Sequence, residues 1–339
     1  MSKKAVAALL CLIIVAGAVF LFAGCEEEEQ KSIVFLGDSI AEAVLGPSPL
    51  SAREDYGYYA IVGRRNGYLY YNRAVSGHKT SHMLEYISRE DDSAYMTVSR
   101  IKEADIIHVS ILGNDMLQTN VGELLLEMVK EEQGLIDGAP VREKILASSR
   151  ENFAAIVAKL KEYNPDAVLM FQTVYNPVYP ESTLVNASTR EALALLGYTA
   201  DDYRILGGRL IEKLNGVIRD YLAEKPDSFH IIDAYEAFGA ISDADEERGR
   251  RLIYPDWIHP SNEGHAVMAD LIQDKLEELL LTDKKTALDH YRQMRMSQIK
   301  REFPDADFLK AKGEFNSATS CSQITEAYFA ITAGLTPTY

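Results

Sequence analysis

Cysteine and tryptophan are scarce in this chain, which has three cysteines and one tryptophan among 339 residues. Cys11 and Cys25 lie within or directly after an apolar run at the N-terminus, so Cys321 alone belongs to the body of the chain. A framework of intramolecular disulfides is therefore excluded there. The stability of the fold must come from a hydrophobic core, and the chain is long enough to bury one.

Positive charge is also in deficit. The chain has 35 Lys and Arg residues against 51 Asp and Glu residues, a formal net charge of -16 at pH 7. An acidic chain without a basic cluster is a poor nucleic-acid binder, so we expect no nucleic-acid partner. Four glutamates at residues 26–29 would be repelled by anionic lipid head groups, and we interpret residues 25–31 as an acidic, solvated tether.

A long hydrophobic run occurs at the N-terminus, where Lys3 and Lys4 precede an almost wholly apolar segment at residues 5–23. This pattern is typical of a secretory signal, which we assign to residues 1–24 and exclude from the fold. The alternative is an uncleaved membrane anchor, because the run is nearly long enough to span a bilayer. Both interpretations place the remainder of the chain outside the cytoplasm, and the uncleaved anchor also attaches it to a membrane.

Short apolar segments alternate with helical patterns along the rest of the chain, which predicts βα units and a parallel sheet. Strands are predicted at residues 32–36, 68–75, 104–112, 167–173 and 229–232, and helices at residues 150–163, 203–222 and 262–281.

Two connections in this scheme, residues 116–149 and 175–202, are long for such a fold. Both follow strands at the same edge of the sheet, and we expect them to form the walls of a pocket or a lid.

Residues 37–40 read Gly-Asp-Ser-Ile and follow the first predicted strand directly. Ser39 is therefore expected at a strand-to-helix turn, where its hydroxyl is a candidate nucleophile. Its own N–H would face a developing oxyanion, aided by the helix N-terminus. Taken alone, the tripeptide favours a polar turn in which Asp38 or Ser39 merely caps the helix, and only the other segments of the chain shift the balance.

A candidate base lies near the other end of the chain. Asp256 and His259 stand three residues apart in a turn that Pro260 closes. A carboxylate there accepts from one ring nitrogen of the histidine and leaves the other facing Ser39. The alternative is that Asp256 caps a helix that begins near Ser261.

Two further positions supply candidate hydrogen-bond donors. Gly77 follows the second predicted strand, and Asn114 follows the third. A glycine lets the backbone approach a substrate closely, and an asparagine side chain supplies an uncharged N–H. In an open α/β sheet the site lies beyond the carboxyl ends of the strands, so these residues are expected to meet Ser39 at one edge.

These segments, in this order, resemble those of the SGNH hydrolases, also called GDSL-type esterases and lipases. The family is named for a Ser, a Gly, an Asn and a His, which correspond here to Ser39, Gly77, Asn114 and His259. Ile40 stands where the family often has leucine. The resemblance covers residues 32–281.

The resemblance implies a flavodoxin-like, three-layer α/β/α sandwich with a mainly parallel five-stranded sheet. It also implies a catalytic triad of Ser39, Asp256 and His259, and an oxyanion hole formed by the Ser39 N–H, the Gly77 N–H and the Asn114 side chain. Such a mechanism needs no cofactor and no metal. His78 and His82 have the spacing of helical metal ligands, but no third-ligand motif accompanies them, which favours an ordinary helix face.

The ending Leu-Phe-Ala-Gly-Cys at residues 21–25 resembles a bacterial lipobox. This resemblance implies cleavage before Cys25 and attachment of lipid to that residue, hence a cell-membrane, lipid-anchored location. The resulting organisation is a signal peptide at residues 1–24, the tether at 25–31, a hydrolase domain at 32–281 and a C-terminal helical extension at 282–339. In the extension, an amphipathic helix is predicted from the spacing of its apolar residues, with a shorter helix after Ser320.

We therefore expect an extracytoplasmic esterase that removes acetyl or other short acyl groups from carbohydrate. One alternative is a lysophospholipase or thioesterase acting on long acyl chains, for which leucine runs at residues 124–126 and 193–196 would form an apolar channel. The other is a non-catalytic binding or scaffold lipoprotein. The expected partners are an ester-bearing small molecule, glycan or lipid, and a membrane reached through the lipid anchor.

Overall fold

The computed structural model describes residues 30–44, 53–89, 95–253 and 255–338. The predicted signal peptide and Cys25 lie outside the described residues. The compact unit that contains the sheet begins at Ser32.

Within the described residues, five parallel strands form one sheet in the order β2-β1-β3-β4-β5. They are β1 (Ser32–Gly37), β2 (Leu69–Asn72), β3 (Ile106–Ser110), β4 (Val168–Gln172) and β5 (His230–Ile232). Each overlaps a run predicted from the sequence. The strand order is that of flavodoxin-like doubly wound folds, which confirms the predicted fold class.

The central strands are buried because helices cover both faces of the sheet, and this burial explains their near-continuous apolar sequences. The helices are α1 (Arg53–Tyr56), α2 (Tyr58–Asn66), α3 (Thr80–Ile87), α4 (Thr97–Glu103), α5 (Gly113–Leu117), α6 (Val121–Glu132), α7 (Pro140–Tyr163), α8 (Ala187–Leu195), α9 (Tyr203–Glu224), α10 (Ala234–Ala244), α11 (Glu246–Arg251), α12 (Asn262–Glu278), α13 (Lys284–Glu302), α14 (Phe308–Ser317) and α15 (Cys321–Thr332).

Two hydrophobic clusters form the core, one on each face of the sheet. The first contains side chains of α2, α12 and the C-terminal helices, and the second contains side chains of α3, α4, α7 and α9. Within the described residues, none of the helices combines the length and apolar character that a membrane crossing requires.

The C-terminal extension is helical, as predicted, and it shares the first cluster with the sheet and α12. A buried ion pair lies at this junction, where Nη2 of Arg65 is 2.8 Å from Oδ1 of Asp270. The Arg65 guanidinium also stacks over the ring of Tyr291 on α13, at 3.7 Å from the ring centroid. The extension is thus built into the core. Helix α14, which was not predicted from the sequence, completes this part of the chain.

The helix expected directly after Ser39 is absent from the described residues. The chain forms a turn instead, in which Glu42 N donates to Asp38 O and Val44 N donates to Ser39 O, both at 2.9 Å. Ala43 has a φ of 60°, a left-handed conformation that ends any right-handed helix at this point. The helix-forming composition of residues 40–45 did not reveal this, because the turn is held by contacts with distant segments.

Candidate active site

The register of the sheet aligns the ends of three strands. Gly37 of β1 pairs with Ser110 of β3, and Ser110 pairs with Gln172 of β4. The segments that follow these three residues therefore leave the sheet at one edge, side by side. This alignment brings together parts of the chain that are far apart in sequence.

Gly37 has a φ of +141° and lies directly against β3. A Cβ atom at this position would stand 1.9 Å from the backbone oxygen of Ser110, so only glycine fits. The close approach lets Asp38 N donate to Ser110 O at 3.2 Å and places Ser39 just above the sheet edge.

The structure brings Ser39, His259 and Asp256 within hydrogen-bonding distance. The Ser39 Oγ lies 2.9 Å from Nε2 of His259, although 220 residues separate them in sequence. On the other side of the ring, Nδ1 of His259 lies 2.6 Å from Oδ2 of Asp256. This arrangement suits transfer of a proton from a hydroxyl to an imidazole that a carboxylate orients.

The turn from Asp256 to His259 is organised by its own carboxylate. Oδ1 of Asp256 accepts from the N–H groups of Ile258 at 2.9 Å and His259 at 2.8 Å, which leaves Oδ2 for the imidazole. Burial by itself would raise the pKa of this carboxyl group, but the hydrogen bonds from His259 and Ile258 outweigh it and lower the pKa. Asp256 therefore stays ionised beside His259. Tyr175 donates a hydrogen bond to the Ile258 carbonyl and secures the turn from outside.

Asn114 lies in the first turn of α5 and lines the same cavity as Ser39. Its Nδ2 donates to the backbone oxygen of His78 at 3.0 Å. An amide nitrogen carries two hydrogens, so the second N–H is available to another acceptor.

Gly77 lies in the turn after β2 and has a φ of +79°. Its carbonyl accepts from Nε2 of Gln118 at 2.6 Å. Among the described residues, neither its N–H nor that of Ser39 has a protein acceptor. Both groups are thus able to donate to a bound molecule.

Asp38, in the same motif as Ser39, is almost fully buried at 3 % exposure. Its Oδ1 accepts from Ile40 N at 2.9 Å and so shapes the turn that holds the nucleophile candidate. Burial raises the pKa of this carboxyl group to about 7, although the Ile40 N–H and the nearby His259 act in the opposite direction.

A small cavity of about 30 Å³ opens beside Ser39. Its walls are polar near Ser39 and Asn114, and elsewhere they include the apolar side chains of Leu117, Val174 and Tyr175. Leu117 belongs to the first long connection and Tyr175 to the second, so both contribute walls, as predicted. These connections also contain the regular helices α6 and α8. The cavity has room for a group of a few atoms.

The described residues contain no group of three His, Cys, Asp or Glu side chains arranged to hold a metal ion. The rings of His78 and His82 stand 6.0 Å apart at a steep angle, and the His82 Nδ1 accepts from Lys79 N. The pair therefore packs at the start of α3.

Three side chains near the site were not identified from the sequence. Tyr175 secures the Ile258 carbonyl, Gln118 holds Gly77, and Glu42 contacts Ser76. Each acts through a contact between residues more than thirty positions apart, and no local pattern indicates such a contact.

A doubly wound sheet with a Ser-His-Asp array at its carboxyl edge has the organisation of a serine hydrolase. The comparison with protein families makes the class specific. Residues 35–267 match the GDSL-like lipase/acylhydrolase family, and the chain belongs to it. The resemblance seen in the sequence is thereby confirmed, and the protein is a member of a family of ester hydrolases.

Solved structures to which this chain is similar include a lipase, Lip_vut3, from a goat rumen metagenome, at 19% identity and a TM-score of 0.49, with 72% of this chain and 97% of that chain covered. Phospholipase A1 from Streptomyces albidoflavus NA297 has 16% identity and a TM-score of 0.49, with 73% of this chain and 99% of that chain covered. An extracellular lipase from Streptomyces rimosus has 16% identity and a TM-score of 0.46, with 72% of this chain and 99% of that chain covered. A search of curated protein sequences finds no significant match.

Proposed function

We propose that this protein is a serine esterase that removes acetyl or similarly short acyl groups from carbohydrate. The observation that carries the proposal is the array of Ser39, His259 and Asp256 beside a cavity of only about 30 Å³. The array supplies the groups for ester hydrolysis, and the cavity limits the size of the acyl group.

In the proposed reaction, Nε2 of His259 takes the proton of Ser39 as Oγ attacks the ester carbonyl carbon. The tetrahedral intermediate carries its negative charge on the former carbonyl oxygen. The Ser39 N–H, the Gly77 N–H and the second N–H of Asn114 donate to this oxygen. His259 then returns the proton to the departing alcohol, and the acyl group remains on Ser39.

Water completes the cycle. His259 takes a proton from a water molecule as its oxygen attacks the acyl carbon, and it then gives this proton to Ser39 Oγ as the bond from Oγ to the acyl carbon breaks and the carboxylic acid leaves. Throughout, Asp256 holds the imidazole in the tautomer that presents Nε2 to Ser39 and stabilises the imidazolium form. Its lowered pKa supports this role, because the carboxylate stays charged at neutral pH.

The size and lining of the cavity support a short acyl group. Leu117, Val174 and Tyr175 leave space for a methyl or ethyl group, and a long acyl chain would need an extended apolar channel. A carbohydrate alcohol is proposed from the expected location, since an enzyme tethered outside a membrane meets polysaccharides of the envelope and the surroundings.

That location is itself part of the proposal. We propose that residues 1–24 form a signal peptide and that a lipid on Cys25 anchors the protein to the outer face of a bacterial cell membrane. A Cys25→Ala variant is expected to leave the membrane fraction or to keep its unprocessed N-terminus. Retention of a cleaved, membrane-bound form in this variant would refute the anchor.

The activity is tested with p-nitrophenyl acetate, butyrate, octanoate and dodecanoate, using the full-length protein in detergent and Ser39→Ala as the control. We expect kcat/KM to fall steeply beyond acetate and Ser39→Ala to be inactive. A maximum at dodecanoate would indicate a long-chain lipase or thioesterase instead. Absence of Ser39-dependent hydrolysis of every ester would favour a non-catalytic role. Release of acetate from acetylated xylan or acetylated peptidoglycan then tests the carbohydrate portion.

A further inference from the structure

The turn that carries Gly77 is held by side chains from two other segments. Glu42, in the turn after Ser39, contacts residue 76, and Gln118, at the end of α5, contacts residue 77. Asn114 contacts the carbonyl of His78. Three consecutive residues of this turn are therefore fixed by partners outside it.

Glu42 makes the contact that links this turn to the nucleophile. Its Oε2 accepts from the backbone N–H of Ser76 at 2.7 Å and also from the Ser76 hydroxyl. The backbone N–H of Glu42 in turn donates to the carbonyl of Asp38 at 2.9 Å. One residue thus connects the peptide next to Ser39 with the residue before Gly77.

The charge of Glu42 is balanced by an arginine. Nη1 of Arg53 lies 2.6 Å from Oε1 of Glu42, on the side away from Ser76. Partial burial by itself raises the pKa of the Glu42 carboxyl group, but the donors from Ser76 and Arg53 outweigh it and lower the pKa. Glu42 is therefore an ionised, fully engaged acceptor at neutral pH.

Gly77 needs such a restraint. Glycine populates positive and negative φ almost equally, and Gly77, at φ +79°, has no side chain to hold its backbone in this conformation. The peptide plane that contains the Gly77 N–H begins at Ser76, so its direction follows the orientation of Ser76. Glu42 fixes the residue before this plane and Gln118 fixes the carbonyl after it.

We propose that Glu42 is a positioning residue, which together with Gln118 directs the Gly77 N–H toward the oxyanion. The proposal rests on the proposed function, because it assigns to Gly77 the donor role in ester hydrolysis. The Glu42 carboxylate bonds to Ser76 and Arg53 rather than to the Ser39 side chain, so its effect passes through Ser76. A donor that points elsewhere contributes little to the transition state, even when the fold is intact.

The test compares Glu42→Ala, Glu42→Gln and Gln118→Ala with wild type in the full-length protein, using p-nitrophenyl acetate. Glu42→Ala is expected to lower kcat by roughly ten- to a hundredfold with KM changed less than about threefold, because the ground-state carbonyl depends less on the donor than the oxyanion does. Glu42→Gln keeps a carbonyl acceptor for Ser76 and is expected to recover most of the lost kcat.

A second measurement reports on the oxyanion site directly. The rate of inactivation by a p-nitrophenyl alkylphosphonate, which forms a tetrahedral adduct on Ser39, is expected to fall in parallel with kcat. The double variant Glu42→Ala with Gln118→Ala should lose less than the product of the two single losses, because both side chains restrain the same peptide.

Glu127→Ala is the matched control. Like Glu42, Glu127 accepts hydrogen bonds from a neighbouring segment, in its case from the backbone N–H groups of Val141 and Arg142 at 2.9 Å each, but it does so at the start of α7. Its removal is expected to leave kcat within about twofold of wild type while costing similar stability. Equal losses of kcat in the Glu127 and Glu42 variants would show a merely structural effect and overturn the proposal.

The remaining outcomes are equally decisive. An active wild type whose kcat is unchanged by Glu42→Ala refutes the positioning role and leaves the esterase proposal standing. A wild type without Ser39-dependent hydrolysis refutes both. Should Glu42→Ala fail to fold, Gln118→Ala applies the same test from an exposed side chain, and unchanged kcat and inactivation rate there overturn the proposal.

Discussion

Replacing Asp38 by asparagine is expected to make the protein more stable at alkaline pH. The carboxyl group is 3 % exposed, and its burial raises its pKa from 3.8 to about 7. The asparagine Oδ1 can still accept from Ile40 N, so the turn that presents Ser39 keeps its hydrogen bond. The variant therefore removes the titration and retains the local geometry.

The sign of the effect follows from proton binding. Between pH 3.8 and about 7, the folded protein holds a proton on Asp38 that the unfolded chain has released. Raising the pH across this window therefore lowers the free energy of unfolding, and above the folded-state pKa the loss is complete. Each pKa unit corresponds to about 1.4 kcal/mol, so the full loss is about 4 kcal/mol. His259 nearby favours the anion and Asp115 opposes it.

The assay is urea unfolding, followed by circular dichroism, of wild type and Asp38→Asn at about pH 5 and about pH 8.5. We expect the stability difference between variant and wild type to rise by a few kcal/mol over this interval. Asp220→Asn, an exposed change on α9, serves as the control and should follow wild type. Parallel pH dependence of Asp38→Asn and wild type would refute the reasoning.

Four other changes have defined outcomes. Asn114→Ala should lower turnover of p-nitrophenyl acetate by about a hundred- to a thousandfold, and a loss below about threefold would contradict the donor role. Leu117→Ala should raise the butyrate-to-acetate ratio of kcat/KM by about tenfold, and an unchanged ratio would show that this wall does not limit the acyl group. Asp270→Asn leaves the buried Arg65 without its charged partner and should cost about 3 to 5 kcal/mol in urea unfolding, whereas a cost below about 1 kcal/mol would argue against a buried charge. His265→Phe should make the folded state less sensitive to acid, because burial lowers the pKa of His265 to about 3 and the free energy of unfolding falls as the pH drops from 6.5 toward that value. An acid-unfolding transition at the same pH as in wild type would contradict this.

The candidate site was accessible from the sequence for two physical reasons. Its parts follow buried strands, and the carboxyl ends of parallel strands meet at one edge of a sheet. The turn at residues 256–259 is also shaped by short-range bonds, in which Asp256 accepts from Ile258 and His259. Local composition and spacing were sufficient for both features.

The predictions failed where distant contacts outweigh local propensity. Residues 40–45 have helix-forming composition, yet Ala43 takes a left-handed conformation and the chain turns back toward β2. Asn72, at the end of β2, donates to the Ala41 carbonyl, and Ser76 donates to Glu42. Such bonds depend on how β1 and β2 pair, and a short stretch of sequence carries no information about that pairing.

The sequence by itself determined the strands, their parallel arrangement and the residues able to act at the strand ends, because apolar patterning and turn chemistry are local properties. Tertiary structure alone decided that Ser39 and His259 lie 2.9 Å apart. It also decided that the adjoining cavity measures only about 30 Å³ and that Glu42 restrains the turn of Gly77. These features arise from packing between segments far apart in the chain, and their distances are fixed when the core closes around the sheet.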